Sequence, residues 1–339
     1  MLNLHFLHIF VKNTTIIKRL AVITSGGDSP GMNAALRSVV RSSIYYNIEC
    51  YGFYRGFQGI IENDYQQLEM RSVSKILGLG GTKLKTARSL DFHDPKIREK
   101  AYQNLKDLEI DALVVIGGNG SLTGANVFSQ QFDFPCVGIP ASIDNDIYGT
   151  DNSIGFHTAL QTIVETIDKI RDTARSHNRL FFVEVMGRDN GNLALHSSLA
   201  TGACYVIIPE KEFQISDLAD RLKEGKTLKK TSSIVIVAEG NTYGPSYKIA
   251  NDLIQVYSDY ETKVSILGHL QRGGSPTAED RIIASRLGHA AIQTLLESKS
   301  NYMVGLIKDE LVLTPMQKVV DNSNSINEDL YKLNEIISR

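Results

Sequence analysis

The chain has 339 residues, of which 42% are hydrophobic and 22% are charged, and its formal net charge is −2. This length corresponds to about two domains at the usual ~100–200 residues per domain. The near-zero net charge gives no electrostatic case for binding nucleic acid or a membrane surface, so we expect neither as a partner.

From residue 18 onward, short β-rich apolar runs alternate with helical patterns. The predicted strands are Leu20–Thr24, Cys50–Phe53, Ala112–Ile116, Cys136–Ile139, Leu180–Val185, Tyr205–Ile208, Ile234–Ala238, Val264–Leu267 and Met303–Ile307. The predicted helices are Met32–Tyr46, Ile97–Leu108, Gly155–Thr173, Asn192–Thr201, Ile215–Glu224, Tyr247–Tyr257 and Asp280–Glu297, with a further helix after Ser121 and a loop and closing helix beyond about residue 310. Continuous Val/Ile runs separated by helices favour parallel sheets covered on both faces. We therefore predict an α/β protein with two doubly wound, Rossmann-like α/β/α domains.

Two further features bear on the setting of the protein. The N-terminal residues 1–17 include the apolar run Leu4–Val11, which is too short to cross a bilayer and lacks the features of a signal peptide, so we interpret 1–17 as an appendage. The three cysteines, Cys50, Cys136 and Cys204, are far apart and flanked by apolar or strand-like residues. This pattern is typical of buried free thiols in a reducing compartment, and we expect a cytoplasmic protein.

Glycine-rich turns follow two of the predicted strands. The first is Ser25–Asn33, and the second is Gly117–Ser121. A strand, a glycine turn and a helix together make an anion site, because backbone N–H groups and the helix dipole point toward the ligand. Neither turn has the Walker or the dinucleotide-binding pattern, so a dehydrogenase is disfavoured. Ordinary tight turns remain the alternative.

Two more glycine turns carry positive charge. Gly80–Arg88 places three cations beside a Gly-Gly pair, and His269–Pro276 places His269 and Arg272 after a strand. Arg171, Arg175 and Arg179 recur every four residues, with His177 among them, and share a helical face if the helix extends that far. Solvated basic surfaces remain an alternative for each group, but four such turns together favour a protein that binds two phosphorylated molecules.

Asp144 and Asp146 lie two residues apart, directly after the predicted strand Cys136–Ile139. Carboxylates resist burial unless they are paired, hydrogen-bonded or metal-bound. Ligands of open α/β sheets bind at the carboxyl ends of the strands, which is where this pair lies. An isolated Asp-x-Asp is also common in turns, so the pair alone leaves a turn and a catalytic site both open.

At this point the sequence resembles the bacterial-type 6-phosphofructokinases from about Lys18 to about residue 310. Five stretches carry the resemblance: Thr24–Ala35, Val115–Ser121, Ser142–Ile147, Val185–Arg188 and Leu267–Pro276. The family transfers the γ-phosphoryl group of ATP to the 1-hydroxyl of fructose 6-phosphate, using Mg²⁺. The resemblance implies a glycolytic kinase that forms a homotetramer with active sites shared between subunits.

The resemblance also implies roles for individual residues. Asp144 is expected to be the general base, with Arg188 and Gly27 acting on the transferred phosphoryl group. The expected ATP-binding residues are Gly27, Arg88, Ser89, Gly118, Asn119, Gly120 and Ser121. The expected fructose 6-phosphate residues are Ser142, Ile143, Asp144, Met186, Gly187, Arg188, Glu239, His269, Leu270, Gln271 and Arg272, with Arg179 and Lys263 reaching the substrate of a neighbouring subunit. Asp146 is expected to orient Mg²⁺ through water.

The resemblance implies an active site in the cleft between two domains. We expect residues 18–155 and 268–320 to form the larger, ATP-binding domain. We expect residues 156–267 and 321–339 to form the smaller, fructose 6-phosphate-binding domain. An effector site is also implied, at Arg37, Arg41, Arg171 and Lys230, although Met70 and Cys204 stand where the family pattern has Arg and Glu.

The chain departs from the family pattern near the metal and the substrate. Asn119 stands where the family normally has the Asp that ligates Mg²⁺ directly, so we expect weaker metal binding through this residue. Lys263 replaces an Arg and loses the bidentate fork, which predicts weaker binding of the sugar phosphate. Gly120 and Ala141 stand where the pyrophosphate-using branch has Asp and Lys, which favours ATP. The alternatives are a pyrophosphate-dependent phosphofructokinase and a catalytically weakened regulatory or binding paralogue.

Overall fold

The structure, a computed structural model, describes residues 17–177, 179–227 and 233–338. Residues 1–16 and Lys230 lie outside the described residues. The strands are β1 Arg19–Ser25, β2 Glu49–Phe53, β3 Tyr65–Leu68, β4 Ala112–Gly117, β5 Cys136–Pro140, β6 Arg179–Val185, β7 Tyr205–Ile207, β8 Ser233–Ala238, β9 Glu261–Ile266, β10 Tyr302–Ile307 and β11 Glu310–Pro315. The helices are α1 Met32–Tyr45, α2 Phe57–Glu62, α3 Pro95–Asp107, α4 Asn119–Phe132, α5 Phe156–His177, α6 Asn192–Thr201, α7 Ile215–Thr227, α8 Ser246–Val256, α9 Ala278–Leu296, α10 Met316–Asp321 and α11 Glu328–Ile337, with 3-10 helices at Leu90–His93 and Gly268–Arg272.

The strands form two sheets. The larger sheet has the order β11-β10-β5-β4-β1-β2-β3, and the smaller sheet has the order β7-β8-β6-β9. Neighbouring strands are parallel except at the two edges of the larger sheet, where β3 and β11 each pair antiparallel. The carboxyl ends of the parallel strands in each sheet therefore lie along one edge, where the loops that follow them can meet.

Both faces of the larger sheet are covered. Along β1, Leu20 and Val22 pack into a core with α1 and α9, whereas Ala21 and Ile23 pack into a core with α2, α3 and α4. Successive side chains of a strand point to opposite faces, so a strand covered on both sides needs apolar residues at every position. The continuous apolar run in β1 follows from this requirement.

The smaller sheet has the same construction. Phe181 and Val183 of β6 pack into a core with α5 and α6, whereas Leu180 and Phe182 pack into a core with α7 and α8. The predicted fold class, α/β with two Rossmann-like units, is confirmed. The residue boundaries assigned to the two domains remain a prediction.

A buried carboxylate joins the two units. Asp280, in the first turn of α9, is fully buried, and it accepts hydrogen bonds from the backbone N–H groups of Gly155 and Thr158, each at 2.8 Å. The Thr158 hydroxyl donates to the same carboxylate. These donors belong to the start of α5, which packs on the smaller sheet, whereas α9 packs on the larger sheet. Asp280 therefore caps α5 from the neighbouring unit.

Several elements differ from the sequence-based expectation. The edge strands β3 and β11 and the short helices α2 and α10 were not predicted. The helix that contains Arg171 ends at His177, and Arg179 begins β6, so the expectation of one helical face for Arg171, Arg175 and Arg179 is wrong for Arg179. No helix among residues 17–177, 179–227 and 233–338 has the length and apolar character needed to cross a membrane.

Candidate active site

Three strands of the larger sheet end side by side. Ser25 of β1 is in register with Gly117 of β4, and Gly117 is in register with Pro140 of β5. The chain continues from these residues into the Ser25–Asn33 turn, the Gly117–Ser121 turn and the Asp144–Asp146 loop. Parallel pairing thus brings together three segments that are far apart in the sequence, as expected for the carboxyl ends of an α/β sheet.

The glycine turns are in contact with one another. A methyl group on Gly26 would lie 3.1 Å from Oγ of Ser121, and one on Gly27 would collide with the guanidinium group of Arg272. Gly27 therefore lies directly against Arg272. Of the two basic residues in the His269–Pro276 turn, Arg272 is partly buried and His269 is exposed. Glycine at these positions leaves the backbone N–H groups open to a close ligand.

The cationic turn Gly80–Arg88 is held by a residue of the first glycine turn. The Asn33 amide donates to the carbonyl oxygens of Leu79 and Gly80 and accepts a hydrogen bond from the backbone N–H of Lys83 at 2.7 Å. A side chain on Gly80 would collide with the backbone of Gly274. The Gly80–Arg88 and His269–Pro276 turns thus meet through two glycines, while Arg88 remains exposed.

The Asp144–Asp146 loop has alternating burial. Ile143, Asn145 and Ile147 are buried, whereas Asp144 and Asp146 are partly exposed. Ile143 packs into the core beside α5 and β6, and Ile147 packs beside Leu122 and Val319 under the larger sheet. The two isoleucines therefore anchor the loop in different units and leave both carboxylates facing away from the cores.

Asn145, between the two carboxylates, adopts a left-handed backbone conformation with a φ of 54°. Its amide donates to the carbonyl oxygen of Asp151 at 3.0 Å and accepts from the backbone N–H of Ser153 at 2.8 Å. Asn tolerates this conformation better than most residues, which explains its place in the loop. No role was predicted for Asn145 from the sequence, where the available signal was an Asn in a turn, a residue type that tolerates the left-handed conformation.

Burial and neighbouring charges shift the pKa of Asp144. Burial raises the pKa of Asp144 to about 6, with a further contribution from the neighbouring charge of Asp146. The positive charges of Arg272 and Arg188 act in the opposite direction and lower this pKa, and the charge of Glu239 raises it. A carboxyl group with a pKa of about 6 is ionised at neutral pH and can still accept a proton, which suits a general base.

Asp146 makes a direct contact with the residue that departs from the family pattern. Nδ2 of Asn119 donates a hydrogen bond to Oδ2 of Asp146 at 2.8 Å. Burial raises the pKa of Asp146, whereas its hydrogen bonds and the charge of Arg188 lower it. Asn119 is the first residue of α4, so this contact lies at a helix N-terminus, which favours negative charge.

The smaller sheet contributes the opposite side of the site. The backbone N–H of Arg188 donates to Oε1 of Glu239 at 3.0 Å, which joins the turns after β6 and β8. Gln271 is fully buried, accepts a hydrogen bond from the backbone N–H of Met186 at 3.1 Å and donates to the carbonyl oxygen of Gly268. The predicted residues at the ends of β6, β8 and β9 thus converge. Gln271 uses its amide internally.

These features agree with comparisons to known proteins. The phosphofructokinase family model matches residues 19–295. The chain belongs to the phosphofructokinase family. It is 51% identical to "ATP-dependent 6-phosphofructokinase 2" of Bacteroides thetaiotaomicron over 93% of this chain and 96% of that protein. It is 49% identical to "ATP-dependent 6-phosphofructokinase" of Bacillus cytotoxicus over 95% of this chain and 100% of that protein.

Solved structures of the family share the fold. Phosphofructokinase from Saccharomyces cerevisiae matches with a TM-score of 0.84 and 37% identity, covering 90% of this chain and 45% of the yeast chain. This chain therefore spans a little less than half of the yeast chain. The pyrophosphate-dependent enzyme from Marinobacter aquaeolei, at 21% identity and a TM-score of 0.81, shows the shared fold alone.

Two of the residues predicted to bind substrate lie apart from this convergence. Arg179 begins β6, and six residues along that strand separate it from Val185 at the site edge, a distance of about 20 Å. Nε of Arg179 pairs with Glu261 at 2.8 Å, and Nζ of Lys263 pairs with the same carboxylate at 2.6 Å. Arg179 of β6 and Lys263 of the edge strand β9 therefore share the carboxylate of Glu261 and lie away from Asp144 and Asp146 of their own chain.

The predicted effector-site residues are only partly described. Arg37 and Arg41 lie one turn apart on α1, and burial together with the charge of Arg41 lowers the pKa of Arg37. The buried Nε of Arg41 has no hydrogen-bond partner among the described residues. Arg171 donates to the carbonyl oxygen of Thr201. Arg37 and Arg41 form no ion pair with a carboxylate in the part of the chain that the structure describes, and two adjacent guanidinium groups of this kind suit an anion.

Proposed function

We propose that this chain is an ATP-dependent 6-phosphofructokinase of glycolysis. It would transfer the γ-phosphoryl group of ATP to the 1-hydroxyl of D-fructose 6-phosphate, giving fructose 1,6-bisphosphate and ADP. Relatives at 51% and 49% identity over nearly the whole chain carry the name of this activity. The observation that carries the proposal is the carboxylate Asp144, whose pKa is raised to about 6, set beside phosphate-binding turns and two arginines.

In the proposed mechanism, Asp144 takes the proton from the 1-hydroxyl group as its oxygen bonds to the γ-phosphorus. The bond from that phosphorus to the bridging oxygen breaks, and ADP leaves with the electron pair. Gly27 offers its N–H to the transferring group, and Arg188 offers its charge. Phosphoryl transfer depends mainly on positioning and charge neutralisation, which is what this arrangement provides.

The nucleotide would bind at the turn before α4. Gly118, Asn119, Gly120 and Ser121 lie at a helix N-terminus with no acidic residue in its first turn, so the backbone N–H groups and the helix dipole favour phosphate. Arg88 and Ser89 extend from the adjacent turn. A side chain on Gly120 would meet nothing within 4 Å, and this open space favours ATP over pyrophosphate as donor.

The site fits Mg²⁺ bound mainly through nucleotide phosphates and water. No group of three or more His, Cys, Asp or Glu side chains that could hold a metal occurs in the described ranges. Asp146 instead offers carboxylate oxygens, and the adjacent Asn119 amide carries a further oxygen, in keeping with the oxygen preference and retained hydration of Mg²⁺. When bound, the ion would neutralise phosphate charge. Asp146 would hold its water shell, and Asn119 would present Oδ1 after its amide turns.

The sugar phosphate would bind between the two units. The residues we propose for this role are Ser142, Ile143, Met186, Gly187, Glu239, His269, Leu270 and Arg272. The buried Nε of Arg272 has no hydrogen-bond partner among the described residues, so this guanidinium retains a donor for an anion. The Gln271 amide accepts a hydrogen bond from Met186 and donates one to Gly268, so we assign Gln271 a positioning role.

Completion of the sugar-phosphate site would require a second subunit. Arg179 of β6 lies about 20 Å along the sheet from its own site, and Lys263 lies on the neighbouring edge strand β9, in register with Phe181. An edge strand presents unpaired backbone groups, and Ile266 and Leu270 beside it are 52% and 68% exposed. We therefore propose that these cations reach a neighbouring subunit in a homotetramer. Arg37, Arg41 and Arg171, with Lys230, are proposed for an effector site.

A coupled assay of the purified protein with fructose 6-phosphate tests the proposal, with ATP or pyrophosphate as donor and Mg²⁺ varied. We expect turnover with ATP, little with pyrophosphate, and none for Asp144→Asn. Turnover with pyrophosphate alone would favour the pyrophosphate-dependent alternative. Loss of turnover with both donors, with nucleotide binding retained, would favour the weakened paralogue, for which the Asn119–Asp146 hydrogen bond is the motivating observation.

A further inference from the structure

The segment 322–327, which we call the C-terminal strap, connects α10 to α11 and lies outside the family match at residues 19–295. It contacts the Asp144–Asp146 loop from the side away from the carboxylates. Ser323 forms an antiparallel bridge with Ile147, and the backbone N–H of Asn324 donates to the carbonyl oxygen of Asp146 at 3.0 Å. The strap thus contacts the backbone of one proposed functional residue directly.

The side chain of Asn324 extends this contact along the loop. Its Nδ2 donates to the carbonyl oxygen of Ile147 at 2.8 Å and to that of Thr150 at 3.0 Å. One residue therefore satisfies three carbonyl groups of the loop between positions 146 and 150. Buried or partly buried carbonyl groups need partners, and here the strap supplies them.

The strap is itself anchored in the smaller unit. Ile326 is 5% exposed and packs in the same core as Ile143, which precedes Asp144. Nδ2 of Asn190, in the turn after Arg188, donates to the carbonyl oxygen of Asn324 at 3.4 Å. The strap therefore connects the Arg188 turn to the Asp144–Asp146 loop through hydrogen bonds.

A cavity lies behind the same loop. It has a volume of about 660 Å³, and its lining includes Asn145, the 148–152 segment, Asn324 and Ser325. On this side the loop borders open space rather than packed side chains. Hydrogen bonds from Asn324 replace the packing that holds a loop in a close-packed interior.

We propose that Asn324 is a positioning residue that fixes the orientation of Asp144 and Asp146 by clamping the backbone of the loop between them and Thr150. It touches no reacting atom. The inference rests on the proposed function for its catalytic meaning, because the loop it holds carries the proposed base. Its structural part, the clamp, can be measured without any activity.

The first test is hydrogen–deuterium exchange of the full chain, monitored in peptides that span residues 144–152. Asn324→Ala should increase deuterium uptake in these peptides. Asn322→Ala is the matched control, because Asn322 lies in the same strap but donates to the carbonyl oxygen of Lys318, away from the loop. Unchanged uptake in Asn324→Ala, or equal increases in both variants, would overturn the clamp.

The second test is kinetic. Asn324→Ala should lower kcat by about tenfold or more while leaving KM for ATP close to that of the wild type, because small displacements of catalytic groups are costly. Wild-type kcat in a variant with raised exchange would overturn the positioning role.

If Asn324→Ala fails to fold, Asn190→Ala provides the same two readouts with smaller expected changes; it removes the hydrogen bond to the Asn324 carbonyl together with the one that Asn190 accepts from the backbone N–H of Asn192. If the wild-type protein does not phosphorylate fructose 6-phosphate, the proposed function fails. The exchange experiment still decides whether the clamp exists, so the two failures are distinguishable.

Discussion

The side-chain amide of Asn119 donates a hydrogen bond to the carboxylate of Asp146 at 2.8 Å. Two carboxylates at these positions would repel each other unless a cation lay between them. The amide removes that repulsion, so the two side chains associate directly. Compared with two carboxylates, the Asn119–Asp146 pair attracts a metal ion less strongly, but its two side chains contact each other without a metal ion.

Asn119→Asp should increase the affinity of the site for Mg²⁺. With two carboxylates at the site, we expect the Mg²⁺ concentration for half-maximal activity to fall, by about tenfold, because changes among metal-site partners typically have effects of this size. Calorimetric titration of Mg²⁺ in the presence of a non-hydrolysable ATP analogue measures the affinity independently. Asn251→Asp, an exposed amide on α8, is the control. An unchanged Mg²⁺ requirement would remove Asn119 from the metal site.

The activity should have an acid limb near pH 6. Burial raises the pKa of Asp144 to about 6, so below that pH the base is protonated and kcat/KM should fall about tenfold per pH unit. Asp146→Asn removes a neighbouring negative charge, so it should lower the pKa of Asp144 and shift the limb to lower pH. Asp133→Asn, an exposed helix-end residue, is the control. A limb that Asp146→Asn leaves in place would contradict this electrostatic account.

Asp144→Asn should abolish turnover and yet stabilise the protein at neutral pH. A carboxyl group whose pKa is higher in the folded state than in the unfolded state favours folding when it is protonated. Its ionisation therefore destabilises the fold as the pH rises through about 6. We expect a gain in the free energy of unfolding of about 1–3 kcal/mol at pH 7.5, which becomes smaller by pH 4.5. Urea unfolding at both pH values measures it, and a loss of stability at pH 7.5 would refute the prediction.

Two inactive variants should restore activity together. Asp144→Asn lacks the proposed base, and Arg179→Ala lacks a cation that we assign to the neighbouring subunit. If sites are shared, random hybrids formed after dissociation and reassembly of equal amounts should contain about one quarter intact sites. Activity of the mixture, compared with that of each variant treated alone, is the measurement. No recovery in verified hybrid oligomers would place Arg179 outside the shared site.

Lys263→Arg should improve the binding of fructose 6-phosphate. The guanidinium can bind phosphate through two parallel hydrogen bonds, which the Lys ammonium cannot do, so KM should fall severalfold with little change in kcat. Lys226→Arg is a matched control, because Lys226 also forms an exposed ion pair, with Asp259 at 2.6 Å. A KM that is unchanged or higher in Lys263→Arg would show that a guanidinium at this position does not bind the phosphate through two parallel hydrogen bonds.

The strands that form the site were predictable because they are covered on both faces. The continuous apolar runs of β1, β4 and β5, each followed by a glycine turn or by the Asp pair, predicted these strands and the loops at their carboxyl ends, and the pairing of the strands brings those ends together. The edge strand β3 was missed because only Leu68 of its four residues is buried, so it lacks the continuous apolar run on which the predictions relied. β11 was missed for a related reason, since it pairs only with β10 and its residues are at most half-buried.

The contacts of Asn324 could not be predicted from local sequence patterns. The hydrogen bonds from Asn324 reach residues 177 and 174 positions away, and no spacing rule connects such positions. Arg179 was misplaced for the opposite reason. The regular four-residue spacing of Arg171, Arg175 and Arg179 is a genuine local pattern, but the chain leaves α5 before the third of them. Periodicity describes a segment only as far as its secondary structure extends.

Asp280 limits how the two units can move. Its single carboxylate binds the N-terminus of α5 while its own helix, α9, packs on the other sheet, so these two helix ends cannot separate without leaving a charge buried and unpaired. A rotation that closes the cleft must therefore pivot at this carboxylate. Displacements are then smallest near Gly155 and grow with distance from it. In such a rotation Asp280 is the fixed point, and the outer edge of the smaller sheet moves farthest.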